Sequence, residues 1–163
     1  VEVERSIELP VSQARAWAFL VDWERQADWM LDADRVRVLT SERSGVGVRL
    51  AVPTRVLGLP LLEERLEVVV WDPPRRLVVA HRRFVAGEGE WRLDPASSGG
   101  TRFSWREELR LPIPVLGPLA LLAYRPVLGA LMARSMHRLR RLVIAAGPAV
   151  RPTAPEEGRA RSG

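Results

Sequence analysis

Apolar and polar positions alternate with a period of two along most of the first 111 residues, then switch to a helical period that lasts to residue 146. Val3, Ile7 and Leu9 share one face of the opening segment against Glu2, Glu4, Ser6 and Glu8, the pattern of a half-buried strand ended by Pro10. Ser12 stands as the N-cap of a short helix to about Val21, with Ala14, Trp17, Ala18 and Val21 on one face. A second short helix over 23–30 follows Asp22. From Arg35 the spacing predicts six more strands, over 35–42, 45–56, 61–71, 77–84, 87–93 and 101–111. The turn signals SGVG, LGLP, DPPRR and DPASSGG separate them, and short turns between consecutive strands make an antiparallel meander.

Residues 117–146 form the closing element. Leu128, Leu131, Met132, Ser135, Leu139, Leu142, Val143 and Ala146 recur at one helix face, with Arg134, His137, Arg138, Arg140 and Arg141 opposite. Pro118 lies near the first turn, and Pro126 inside the pattern predicts a kink or break near Tyr124 and Arg125. A single long apolar helix after a sheet must be buried by that sheet. The fold class is therefore α+β, a curved seven-stranded antiparallel sheet around a long C-terminal helix, with two short helices after the first strand. Residues 147–163 carry Pro, Gly and charge without periodicity, so the expected organisation is one domain over 1–146 and a disordered tail.

Composition narrows the chemistry. There is no Cys, and His81 and His137 are the only imidazoles, so no metal or other cofactor is expected. The net charge of +5 would suggest nucleic acid if it were spread over a groove-sized face. Residues 1–116 instead hold 17 Arg against 18 acidic groups, while 117–146 hold five Arg and no acid. The excess sits on one helix, no strand surface alternates aromatic with basic residues, and nucleic acid is not an expected partner. Arg125 and Pro126 interrupt the apolar run over 115–133, which argues against a membrane span. A peripheral membrane contact through Leu116, Leu119, Leu121 and Leu122, or carrier-protein docking on the Arg-rich face, stays open. No basic stretch leading into an apolar run and a small-residue cleavage site opens the sequence at Val1, and a cytoplasmic protein is the expectation.

The element order resembles the helix-grip fold of the START-related superfamily (SRPBCC), which includes polyketide cyclases, coenzyme Q-binding proteins and birch-pollen-allergen-like proteins. ELPVSQARAWAFLVDWERQADWM is similar to the opening of that superfamily, and GVGVRL, WDPPRRLVV and SGGTRFSW are similar to turns of its polyketide cyclase/dehydrase-like branch. The resemblance covers residues 2–146. It implies a deep cavity between sheet and helix that holds a hydrophobic ligand, with Trp29 at its entrance. It does not imply one reaction, because some relatives cyclise or aromatise polyketides and others only carry lipids, quinones, hormones or flavonoids.

Registers estimated from the turns give the inward set. Across DPPRR, Val70 falls opposite Val78, Val68 opposite Ala80 and Leu66 opposite Arg82; across SSGG, Leu93 meets Phe103, Trp91 meets Trp105 and Gly89 meets Glu107. The buried face around the cavity is then expected to include Leu62, Glu64, Leu66, Val68, Val70, Ala80, Arg82, Trp91, Phe103, Trp105, Glu107 and Leu109. Gly89 leaves room for Arg82 to reach Glu107, which suggests a Glu64–Arg82–Glu107 cluster serving as a ligand contact or as a satisfied polar brace. Trp91 and Trp105 would form a flat apolar wall or simple core. Leu128, Met132 and Ser135 would supply the helix side, and Tyr124 would offer a hydroxyl at the kink or cap the rim. His81 falls opposite Glu67 on the outward face. The leading reading is a carrier-type module for a polyketide, quinone, sterol or lipid. Two alternatives are a polyketide aromatase/cyclase or dehydratase using Arg82, Tyr124 and a carboxylate such as Glu107, and an accessory protein docking through the Arg-rich helix face.

Overall fold

A computed structural model describes residues 1–56 and 59–147. The expected tail lies, from residue 148 on, outside the described residues. The elements are β1 (Glu2–Leu9), α1 (Gln13–Leu20), a 3-10 turn (Trp23–Asp28), β2 (Arg37–Val38), β3 (Arg49–Val56), β4 (Leu59–Asp72), β5 (Arg76–Arg82), β6 (Ala86–Pro95), β7 (Thr101–Arg110) and α2 (Leu116–Ala145). All seven strands make one antiparallel sheet in the order β1-β7-β6-β5-β4-β3-β2. β1 pairs with β7 along its whole length, and α2 lies across that side of the sheet. This is the helix-grip arrangement.

The local chemistry accounts for the elements. Ser12 caps α1, its hydroxyl accepting from the Arg15 N–H at 3.4 Å. The buried side chains of α1 are Ala16, Trp17 and Leu20, while Ala14 and Ala18 are exposed, so the apolar stripe is rotated from the one expected. The second short helix is a single 3-10 stretch held by the buried Gln26, whose amide donates to the Leu20 carbonyl at 2.7 Å. The strand expected over 35–42 shrinks to two paired residues. Pro73–Pro74 is cis in the turn between β4 and β5.

α2 runs unbroken through Pro126, so the helix does not break where a kink or break was expected. Pro126 and Leu122, whose carbonyl loses its helical donor to the proline, both stand on the exposed side, where water can take the bond. The helix has the length and apolar content of a membrane-crossing segment. Here its second half is core: Met132, Ser135, Met136, Leu139 and Val143 are buried. Its approach and first turns are not, and Ile113, Val115, Leu116, Leu119 and Leu122 are exposed. Val115 takes φ 62° in a tight turn closed by the Leu116 N–H on the Pro114 carbonyl, a backbone region that a β-branched residue rarely adopts.

Candidate functional site

A cavity of about 160 Å³ opens between the concave face of the sheet, the segment after α1 and the first half of α2. Its walls are mostly apolar: Leu50 and Val52 from β3, Leu66 from β4, Val79 from β5, Trp91 from β6, Trp105 and Leu109 from β7, and Leu128 from α2. Trp23, Met30 and Ala33 close the side facing the short helices. That side is held by backbone bonds. Ala33 bridges to Thr54, the Asp34 N–H donates to the Pro53 carbonyl at 3.0 Å, and the Leu31 N–H donates to Ser135 Oγ at 3.1 Å. Asp32, between these ties, is thereby carried to the cavity wall.

The ionisable groups gather at one end. Glu64, His81, Glu107, Asp32 and Tyr124 all line the cavity, Gln26 and Thr54 are its other polar lining residues, and no described lining residue is an Arg. Glu64 is 7% exposed and Glu107 8%. Trp105 Nε1–H donates to Glu107 Oε1 at 2.6 Å, and His81 Nε2 lies 3.3 Å from Glu107 Oε2, so both oxygens of Glu107 are engaged. His81 Nδ1 lies 3.9 Å from Glu64 Oε2, beyond hydrogen-bond reach. Both Glu64 oxygens and His81 Nδ1 have no hydrogen-bond partner among the described residues.

Burial pulls the His81 imidazole toward its neutral form. The hydrogen bond to Glu107 and the nearby Glu64 carboxylate outweigh that pull and push its pKa up to about 9. That direction favours the protonated imidazole at neutral pH. Asp32 is shifted up, chiefly by burial; its backbone hydrogen bond opposes this, Glu107 adds to it and His81 partly offsets it. Tyr124 is shifted up by burial and then by the charge of Asp32.

Of the residues singled out from sequence, the cavity brings together Glu64, Leu66, Trp91, Trp105, Glu107, Leu109, Tyr124 and Leu128, while the side chain of Leu62 lies outside the described residues. Arg82 is not among them. It is on the solvent side, paired with Glu67 at 3.0 Å. His81 takes the inward place, reversing the outward assignment made for it. The cause is a bulge in β4 between Val68 and Val70: Val70 pairs with Val78 as expected, but beyond the bulge Val68 pairs with Val79 and Leu66 with His81. The inward set of β5 is thus Leu77, Val79 and His81 rather than Ala80 and Arg82. On β4 it is Trp71, which packs on Trp17 and Trp23, rather than Val70. The apolar run Val68–Val69–Val70–Trp71, where alternation lapses, was the signal for this bulge.

Three further candidates are core rather than cavity wall. Trp29 is 2% exposed and packs on Trp91 and Trp105 at 5.6 and 6.0 Å, behind the lining. Met132 and Ser135 are buried under α2, with Ser135 holding the Leu31 backbone. Trp91 and Trp105 pair across the strands as expected, but edge to face at 84° rather than as a flat wall. Gly89 does open space, for Glu107 rather than for an Arg: a Cβ there would come 2.7 Å from Glu107 Oε1.

The family model described as polyketide cyclase / dehydrase and lipid transport matches residues 1–143. No curated protein matches the sequence. Among solved structures, TTHA0849 from Thermus thermophilus superposes with a TM-score of 0.74 at 21% identity, covering 90% of this chain and 99% of its own. A START superfamily protein from Mycobacterium smegmatis gives 0.68 at 14% identity, covering 89% and 98%. The Zhui aromatase/cyclase from a Streptomyces species gives 0.67 at 16%, covering 90% and 92%. At these identities the likeness is one of fold.

Proposed function

The chain belongs to the polyketide cyclase / dehydrase and lipid transport family, and on that footing we propose that it binds a hydrophobic small molecule in the cavity between the sheet and α2. The observation that carries this reading is the lining: apolar walls from five strands and a helix enclose a space that a globular core would otherwise fill, with a few polar groups gathered at one end. A catalytic reading in the manner of an aromatase/cyclase loses Arg82, which is on the wrong face, and would rest on His81 and Tyr124 as the acids facing the cavity. Native mass spectrometry of the protein purified from its own host, followed by extraction, tests the binding reading. A retained apolar molecule released on unfolding is the expected result. Protein that comes empty and takes up no apolar probe would overturn it. Recovery of a cyclised polyketide in place of the molecule supplied would move the assignment to the cyclase.

A further inference from the structure

The polar end of the cavity is unbalanced in a way that selects among hydrophobic ligands. Glu107 is satisfied by Trp105 and His81. Glu64 is more than nine-tenths buried, faces the cavity and accepts no hydrogen bond among the described residues, and the donor His81 Nδ1 beside it is likewise without a partner among them. We propose that the ligand carries a neutral hydroxyl that sits between His81 Nδ1 and Glu64, accepting from the first and donating to the second. This rests on the ligand-binding reading above and deepens it.

The geometry and the charges both favour this group over its rivals. The two unpartnered atoms are 3.9 Å apart, so one oxygen can lie about 2.8 Å from each, the ordinary length for O–H and N–H bonds to oxygen. A hydroxyl both donates and accepts; an ammonium only donates and would leave Nδ1–H facing a cation, and a ketone only accepts and would leave Glu64 unpaired. A carboxylate or phosphate fits worst. Glu64, Glu107 and Asp32 already line this end, and the one cation among the described lining, His81, is shared between two glutamates. A further buried anion would meet repulsion with no Arg among the described lining to compensate it. The site therefore suits phenols, sterol-like alcohols and hydroquinones, and rejects free fatty acids and other anionic amphiphiles.

Isothermal titration calorimetry at pH 7 with naphthalene, 2-naphthol and 2-naphthoate separates these terms on one ring skeleton. A hydrogen bond to a charged group is worth enough for 2-naphthol to bind about tenfold or more tightly than naphthalene, with 2-naphthoate weaker than both. Glu64→Gln should reduce the naphthol advantage over naphthalene to about threefold or less; the melting temperature of the variant checks that it is folded. Equal affinity for naphthalene and 2-naphthol, or a preference for 2-naphthoate, would overturn the hydroxyl assignment while leaving the apolar cavity reading intact. Failure of all three probes to bind would overturn both.

Discussion

The two halves of α2 face the same sheet and do different things. From Met132 to Val143 the helix closes on a packed end: Met132, Met136, Leu139 and Val143 are at most 1% exposed, with Trp29, Leu93 and Phe103 also buried in the same core. From Leu121 to Leu128 the helix still buries Leu121 and Leu128, but Tyr124 is half-buried, and Tyr124 and Leu128 border the cavity with its acids and imidazole. Apolar burial at the first end is what can hold the grip together, so the second can leave volume unfilled and buried charges incompletely paired. On the proposed reading, stability and binding are separated along one helix.

The same substitution at each end should break this symmetry of sequence most visibly. Leu139→Ala removes a fully buried side chain from close-packed neighbours and should cost about 3–5 kcal/mol. Leu128→Ala removes a side chain that already borders a cavity and should cost about 1–2 kcal/mol, because fewer contacts are lost. Urea denaturation of both variants reads the difference. Affinity for an apolar probe should change with Leu128→Ala and stay unchanged in folded Leu139→Ala. Equal destabilisation at the two sites would show that the halves are packed alike.

The charged end should announce itself in the pH dependence of stability. His81 faces Glu64 on β4 and Glu107 on β7, lies near enough to Asp32 on the segment after the 3-10 turn for their charges to interact, and shares the cavity wall with Tyr124 on α2. Its pKa is raised from 6.5 to about 9 by folding. The folded state therefore holds this proton more tightly than the unfolded chain, so the stabilisation is complete below pH 6.5 and is lost as pH rises through 9. The expected loss is on the order of 3 kcal/mol across that window. His81→Gln should flatten the stability profile between these limits. An unchanged profile in that variant would mean that the imidazole is neutral in the folded protein.

The same comparison explains what could be read from sequence. Fold class and most of the buried stripe of α2 follow from periodicity, since Leu128, Met132, Ser135, Leu139 and Val143 are buried positions that the 3.6 period selects, although Ala146 on the same stripe is exposed; the pairing of β1 with β7 was not in the pattern. The β6–β7 register was also legible: the short glycine turn leaves no slack, and Gly89–Glu107, Trp91–Trp105 and Leu93–Phe103 pair as the count from the turn requires. The β4–β5 register was not. A single extra residue at the Val69 bulge turns every later side chain of one strand relative to its partner, and turn counting carries no record of it. Asp32 was invisible for a different reason, because only tertiary hydrogen bonds around it, from Asp34 to Pro53 and from Leu31 to Ser135, bring its loop to the cavity.

Arg82 gives the smallest expected effect and the sharpest check on that register. On the alternation without a bulge it would be a buried cation between two glutamates, and removing it would strand both charges at a cost of about 3–5 kcal/mol. In the bulged register it is an exposed arginine whose side chain is about half accessible, paired with a partly exposed Glu67. Exposed pairs of this kind contribute about 0–1 kcal/mol. Arg82→Ala should therefore shift the denaturation midpoint little, leave the pH profile set by His81 in place and leave probe affinity unchanged. His81→Ala in parallel should alter all three. If the two variants exchanged behaviour, the bulge at Val69 would be misplaced and the acid end of the cavity would belong to an arginine.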